Sequence, residues 1–320
     1  MSQKEEKTCY RTTIGGQALI EGIMMRGPKK QAIVVRTKDG LVTKTEPVKL
    51  LKEKYPIVGW PVIRGAVNFI ASMVAGVRAL MFSAEQAEDE GGYEPSKLDK
   101  WIEEHIGGEK ADKIIVTLGV VMGVGLAVLL FFLLPTFLAG LIAPLIQSNV
   151  VRNLVEGALR IIIFLGYLWL ATRMEDIQRV WAYHGAEHKT IFCYEKGLEL
   201  TVDNCRGQSR LHPRCGTSFL FIVMCVSILL FSLTEWPNLW VRIGLRLLLL
   251  PVVVGISYEL IRWAGRYDNV FTRLISAPGK ALQRLTTREP DDGMLEVAIE
   301  ALKLDRKSTR LNSSHGYISY

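Results

Sequence analysis

Charge is what large parts of this 320-residue sequence lack. Between Ile114 and Val151 there is no ionisable side chain, a run longer than the roughly 20 apolar residues a helix needs to cross a bilayer. Only 22% of residues are charged against 49% hydrophobic, which excludes an ordinary soluble enzyme and makes this a polytopic membrane protein. Cysteine is scarce and odd in number: Cys9, Cys193, Cys205, Cys215 and Cys225 lack the spacing of a disulfide scaffold, so reduced thiols are expected. The opening residues, MSQKEEKTCYRTT, have no apolar core of a cleavable signal peptide. There is no internal repeat, and the basic residues sit beside apolar segments, so they read as a topology signal and not as a nucleic-acid footprint.

The net charge of +7 overstates that basicity. Residues 307–320, KSTRLNSSHGYISY, break the preceding pattern and read as a non-native scar. Setting them aside removes Lys307 and Arg310 from the balance and His315 from the candidate ligands.

What is present divides into six stretches. Residues 1–56 read as a small cytoplasmic β-rich region, with two β-rich runs around Asp39-Gly40 as a hairpin signal. Residues 57–83 are apolar but carry Arg64, Asn68 and Arg78 on one helical stripe, which favours an interfacial or re-entrant helix. A charged linker, 84–113, has a short amphipathic helix around Trp101. Four spans follow within 114–261, at about 114–134 (closed by Pro135), 153–172, 217–234 and 240–261. The tail, 262–306, is polar and amphipathic, with a last helix starting near Asp291 or Asp292. The fold class is therefore mainly α, a four-span membrane protein with a β-hairpin-containing cytoplasmic region. Segment 173–216 holds seven Lys/Arg, whereas the loops on the other side hold Arg152 or none. The positive-inside rule then puts both termini and segment 173–216 in the cytoplasm.

That segment contains WAYHGAEHKTIFCYEKG, residues 181–197. His184 and His188 lie four apart, so both rings share one helix face. Ile177, Val180, Trp181, His184, His188 and Ile191 fall in one apolar arc with Glu187 at its rim, so the histidines point inward. The string is H-x-x-E-H, the inverted zinc-protease pattern: two imidazole ligands and a carboxylate, Glu187, as general base. A divalent ion such as zinc needs a third protein ligand and an open position. RLHPRCGTSF supplies His212 and Cys215, and GISYELIRWAGR supplies Glu259, an ionisable residue near the end of a span. The topology brings all of them to the cytoplasmic face, where His212 or Glu259 would complete the set. Other readings stand beside this one. Cys205, His212 and Cys215 could form a zinc knuckle with either histidine. Glu21 and Arg26 form either an edge of the site or a paired charge in a glycine-bounded strand. Glu156 and Arg160 read as an intrahelical pair, and Arg206, Arg210 and Arg214 as contacts to anionic lipid headgroups.

Five separated motifs, GGQALIEGIMMRGP, YHGAEHKTIFCYE, HPRCGTSFLF, YELIR and LTTREP…LEVAIEAL, together resemble the YqhQ-like family of bacterial membrane proteins from about residue 12 to 304. That family is of unknown function and is described as predicted metal-dependent enzymes. The resemblance implies a multi-pass protein of the bacterial cell membrane. Two functions remain open: a metal-dependent hydrolase acting on a membrane-embedded peptide or lipid-linked substrate, or a non-enzymatic protein that transports, senses or scaffolds with the same polar cluster.

Overall fold

The computed structural model describes residues 12, 14–48, 51, 55–88, 108–213, 215–232, 239–267 and 269–310. The helix expected around Trp101, Arg214 and most of the tail 307–320 lie outside the described residues.

Strands β1 (Gly15–Leu19), β2 (Gly22–Arg26), β3 (Lys30–Thr37) and β4 (Gly40–Pro47) form an antiparallel meander in chain order. The third hairpin, between β3 and β4, turns on Lys38 and Asp39, because Thr37 pairs with Gly40. Gly40 opens β4 at φ +128°, a backbone state that glycine enters without a Cβ penalty. The sheet is covered on both faces, which explains why GIMMR and QAIVVR read as continuous apolar runs. Ile23, Met25 and Val34 face one core, and Leu19, Met24, Ile33 and Val35 face the other, as the two-residue period of a strand requires.

Ten helices are described: α1 (Ile63–Glu88), α2 (Gly108–Val128), α3 (Leu134–Ile142), α4 (Asn149–Ala171), α5 (Glu175–Glu195), α6 (Val202–Arg206), α7 (Gly216–Ser232), α8 (Leu239–Arg266), α9 (Val270–Thr286) and α10 (Asp292–Arg310). Four segments are long and apolar enough to cross a membrane: Ile63–Gln86, Thr117–Ile142, Val150–Ala171 and Ile243–Gly265. The first apolar run does not end at Pro135. A π-helical turn at Leu129–Leu133 joins α2 to α3, and such a turn makes room for a proline ring that a regular helix would clash with. The described part of the apolar helix α7 has 17 residues, which at about 1.5 Å per residue is shorter than a full hydrocarbon core.

Helix α1 has two unlike sides. Ala79 and Phe82 pack on the sheet, and Arg26 reaches the Ala71 carbonyl and Ser72. Ile70, Met73, Val74, Val77 and Leu80 remain exposed on the other side. Its length would let it cross a bilayer. An apolar stripe opposite a sheet is also the pattern of a helix lying in the membrane surface. Its start is fixed by Glu259, which holds Arg64 through two bonds of 2.6 and 2.5 Å and accepts the Val62 amide.

The other face of the sheet packs on α5 and α10, where Tyr183, Ala186, Leu295, Ala298 and Leu302 complete the core. Among the apolar helices, Glu156 of α4 binds Arg246 of α8 (Nη2–Oε2, 3.0 Å), Arg160 one turn along (3.3 Å) and the Thr136 hydroxyl (2.8 Å). These three ionisable residues are 2–6% exposed. The intrahelical pair read from sequence is present, but a second arginine shares the carboxylate.

Two outcomes follow from these buried charges. Removing Arg246 leaves a neutral pair, whereas removing Glu156 leaves two cations facing each other. Glu156→Leu is therefore expected to lower the unfolding temperature in detergent far more than Arg246→Leu, by the ~3–5 kcal/mol typical of an uncompensated buried charge. Asp305 of α10 is 3% exposed, and burial lifts its carboxyl to about 6 although it accepts the Gly27 amide. A raised carboxyl pKa contributes stability below the unfolded value near 4, and that contribution is lost as pH rises through about 6. Asp305→Asn should thus unfold at a higher temperature than the wild type at pH 7.5, by at most ~3 kcal/mol, with the difference closing near pH 4.

Candidate metal centre

Helix α5 begins with Glu175 and Asp176 in its first turn, favourable at the positive end of the helix dipole, and the chain leaves it at Gly197 with φ +65°, a left-handed exit typical of helix ends. From Ala182 to Ile191 every residue except His184 is buried. Of the expected apolar arc, His188 and Ile191 are buried and Ile177, Val180, Trp181 and His184 half-buried, and between Ala182 and Ile191 the remaining sides of the helix are covered too. The sheet and α10 lie on one side, and segments around 205–215 and 286–289 lie on the other. Lys189 is accommodated there by the Arg206 carbonyl at 2.8 Å and the Glu289 carboxylate at 2.9 Å.

His184, His188 and Cys215 come together, with their ligand atoms all within 4.8 Å of one another. Each imidazole is fixed from behind. His184 Nδ1 lies 2.9 Å from the Thr286 carbonyl, and His188 Nδ1 lies 2.6 Å from the Arg210 carbonyl. A carbonyl only accepts, so both Nδ1 atoms carry the proton and both Nε2 atoms are left for another partner. His184 Nε2 stands 3.1 Å from Cys215 Sγ. Burial alone would push the Cys215 thiol up, but His184 and His188 outweigh it and hold the thiol well below the usual range. Burial likewise works against the charged form of His184, yet the Cys215 sulfur beside it carries the imidazole up to about 9. Tetrahedral N and S ligands at zinc-like bond lengths sit ~3.3–3.7 Å apart. The set therefore fits such an ion after side-chain shifts of an ångström or less.

Glu187 adds a carboxylate beside them. It accepts the Gly16 amide, and burial pushes its carboxyl up against the pull of His188 and His184. Its Oε2 is buried without a hydrogen-bond partner, an arrangement that costs free energy unless the atom has another use. Strand β1 lies so close that a Cβ on Gly16 would sit 2.7 Å from Glu187. This gives the second glycine of IGGQALIEG a reason that the sequence alone did not supply. Gly185 plays a similar part on the opposite side. A Cβ there would collide with the Arg288 carbonyl, whereas glycine lets the chain after α9 lie flat on α5, with Arg288 donating its amide to the Trp181 carbonyl at 2.9 Å.

The remaining sequence candidates separate. His212 is buried behind His188 and against Phe192, with ring centroids 5.5 and 4.6 Å away, and its Nε2 lies 3.7 Å from Glu195. Gln283 binds the His212 backbone at both N and O, each at 2.7 Å, and so fixes the loop that delivers Cys215. Glu259 is engaged by Arg64 at the start of α1 and does not join the group. Cys205 sits in the apolar core beside Cys193, where burial pushes its thiol up to about 12, so the structure does not gather a knuckle from it. Glu21 and Arg26 are not partners. Glu21 occupies the β1–β2 turn at φ +48° and binds Arg179 (2.6 Å) and the Tyr183 hydroxyl (3.2 Å) of α5. Burial would raise its carboxyl, and Arg179 brings it below the usual range. Arg206 pairs with Asp292 and Asp203.

The close approach at Gly185 is open to test. Gly185→Ala should lose ~1–3 kcal/mol or more of stability through overpacking. Gly166→Ala on α4, where nothing lies within 4 Å of the added Cβ, should be neutral or stabilising. Thermal unfolding of both variants in detergent checks the difference.

Residues 60–307 match the family model described as "Protein of unknown function (DUF1385)". The uncharacterized protein YqhQ of Bacillus subtilis (strain 168) is 35% identical over 291 residues, which cover 90% of each chain. No solved structure matches. A match over this much of the chain, with such a relative, makes the protein a member of the DUF1385 family, together with YqhQ.

Proposed function

We propose that this is an integral-membrane, metal-dependent hydrolase whose centre lies where the bilayer meets the cytosol. His184, His188 and Cys215 hold a divalent ion, and the mixed imidazole and thiolate donors select zinc over magnesium or calcium. The observation that carries the reading is the fixed pair of Nδ1–H tautomers, which leaves two Nε2 atoms beside a sulfur already biased to thiolate. Carbonyls orienting a histidine through its other nitrogen are the usual outer shell of metal sites.

A bound zinc ion supplies Lewis acidity. Glu187 takes up a proton at its buried oxygen Oε2, and its upward-shifted carboxyl suits a general base working near neutral pH. The Gly16 amide holds the other oxygen and so fixes which one reacts. His184, the one partly exposed member, marks the side from which a substrate enters. The basic segment 173–216 supports placing this face, and both ends of the chain, in the cytoplasm of a bacterial cell. Helix α1 then lies in the same interface, its exposed stripe in lipid. The substrate is a membrane-embedded peptide or a lipid-linked molecule.

The near-complete burial of His188, Glu187 and Cys215 supports a second reading, a closed structural or sensory site with Glu187 as fourth ligand and no turnover. One measurement separates the two. Protein purified in detergent without chelator should carry about one zinc per chain by elemental analysis, and His184→Ala, His188→Ala and Cys215→Ser should lose it. Glu187→Gln should keep the zinc if Glu187 is a base, and should lose it along with thermal stability if Glu187 is a ligand. Metal-free wild-type protein would falsify both.

A further inference from the structure

A cavity of about 510 Å³ opens beside this centre, lined by Thr172, Arg210, Arg284, Thr287, Arg288 and Glu289 among others. We infer that it binds the phosphate group of an anionic amphiphile, the substrate class of the proposed hydrolase. The inference rests on that reading only in calling the ligand a substrate.

The cavity has an excess of cations. The Arg210 guanidinium binds the Thr287 carbonyl and stands 3.4 Å from Glu289, whose carboxylate is shared with Lys189. Among the described residues, the Arg288 guanidinium reaches the Thr172 carbonyl, at 3.5 Å, and neither it nor Arg284 has a carboxylate partner. Three guanidiniums and one carboxylate therefore face a single open space. Planar, multidentate donors of this kind match phosphate oxygens better than any neutral headgroup.

Depth selects an amphiphile. Thr172 caps α4, and the apolar segment of that helix ends at Ala171. Arg173 stacks over Trp169 at 4.5 Å, an anchor typical of the membrane–water boundary. Helix α9, which carries Arg284 near its end, leaves Val270, Phe271 and Leu274 58–84% exposed at its beginning, an apolar surface suited to acyl chains. A phosphate held by the arginines would lie at headgroup level.

The cavity also shares its wall with the metal centre. Arg210 presents its guanidinium to the cavity and its carbonyl to His188. Thr287 and Arg288 line the cavity directly after Thr286, whose carbonyl holds His184. A ligand anchored there is held by the same short segments that orient both imidazoles.

The test uses full-length protein in detergent, with calorimetric titration of dihexanoyl phosphatidic acid, dihexanoyl phosphatidylcholine and inorganic phosphate. Arg284 and Arg288 are exposed, so Arg284→Gln/Arg288→Gln should keep its zinc content and unfolding temperature. The variant should bind phosphatidic acid at least about tenfold more weakly than the wild type, the loss expected for two charge-assisted contacts. Wild-type protein should prefer phosphatidic acid over phosphatidylcholine by a similar factor. Inorganic phosphate binding as tightly as phosphatidic acid would support the site but assign it a soluble phosphate; weaker binding supports a lipid. Equal affinity for the two lipids, or a double variant that binds as well as the wild type, overturns the proposal. Zinc measured on the same samples keeps this outcome distinct from failure of the metal reading, because a zinc-free protein that still discriminates the lipids would refute the hydrolase and not the phosphate site.

Discussion

Two backbone carbonyls decide what the histidines of this protein can do. A buried imidazole with neither nitrogen satisfied is costly, and one with both satisfied is chemically idle. The Thr286 and Arg210 carbonyls satisfy one nitrogen of each ring and leave the other pointing at Cys215. Much of the surrounding structure serves to bring those carbonyls into place. Gln283 clamps the His212 backbone and accounts for the entry to α7. Gly185 admits the chain after α9 to the surface of α5, and the β1–β2 turn is tied to α5 through Glu21 and Arg179. The site is assembled from a strand, a helix and loops spread over more than 270 positions, from Gly16 to Arg288, and bonds to the backbone fix both imidazoles and the His212 loop.

The parts legible from the sequence were those encoded locally. The spacing of His184, Glu187 and His188 specifies a shared helix face, the uncharged run from Ile114 to Val151 specifies a membrane, and the β-rich runs flanking Asp39-Gly40 specify a hairpin. The third ligand was not local. Cys215 and His212 stand three residues apart in one loop, and only the grip of Gln283 on the His212 backbone turns the sulfur and not the ring toward His184. Glu259 was a sound candidate as a carboxylate near the end of a span, but its partner, Arg64, comes from a helix nearly 200 residues earlier. The same holds for Arg246, which joins a Glu156–Arg160 pair that local spacing had already accounted for. Pro135 looked like an end because the π-helical turn that absorbs it carries no composition signal.

The molecule keeps its ionisable groups in separate regions with different chemistry. Among the apolar helices, one carboxylate binds two arginines and the Thr136 hydroxyl and so holds α3, α4 and α8 together. At the face with the sheet, the carboxylate Glu187 and the thiol Cys215 have histidines as neighbours, and among the described residues no lysine or arginine bonds to either. Arg206, Arg210, Arg284 and Arg288 stay outside the cluster, and Lys189 is turned toward Arg206 and Glu289. A buried pair of acidic groups kept apart from permanent cations is unusual, because the simplest way to stabilise either would be an arginine.

That separation bears on what belongs in the centre. With both imidazoles neutral, a Cys215 thiolate and a Glu187 carboxylate would carry two negative charges in a space closed to water. Burial works against the charged form of Glu187 and raises its carboxyl, and, against burial, the Cys215 sulfur raises the His184 imidazole. On the proposed function, His184, His188 and Cys215 would hold a divalent cation whose two positive charges would balance that pair of negative charges and leave Glu187 in the basic form that a proton acceptor needs. A monovalent ion would leave one charge uncompensated, and a phosphate or carboxylate would add to the excess. On that reading, the charge of the cluster would match a dication, and the soft sulfur with two imidazoles would suit zinc among dications. The arginine-lined cavity next to it has the opposite sign and is left to the anion.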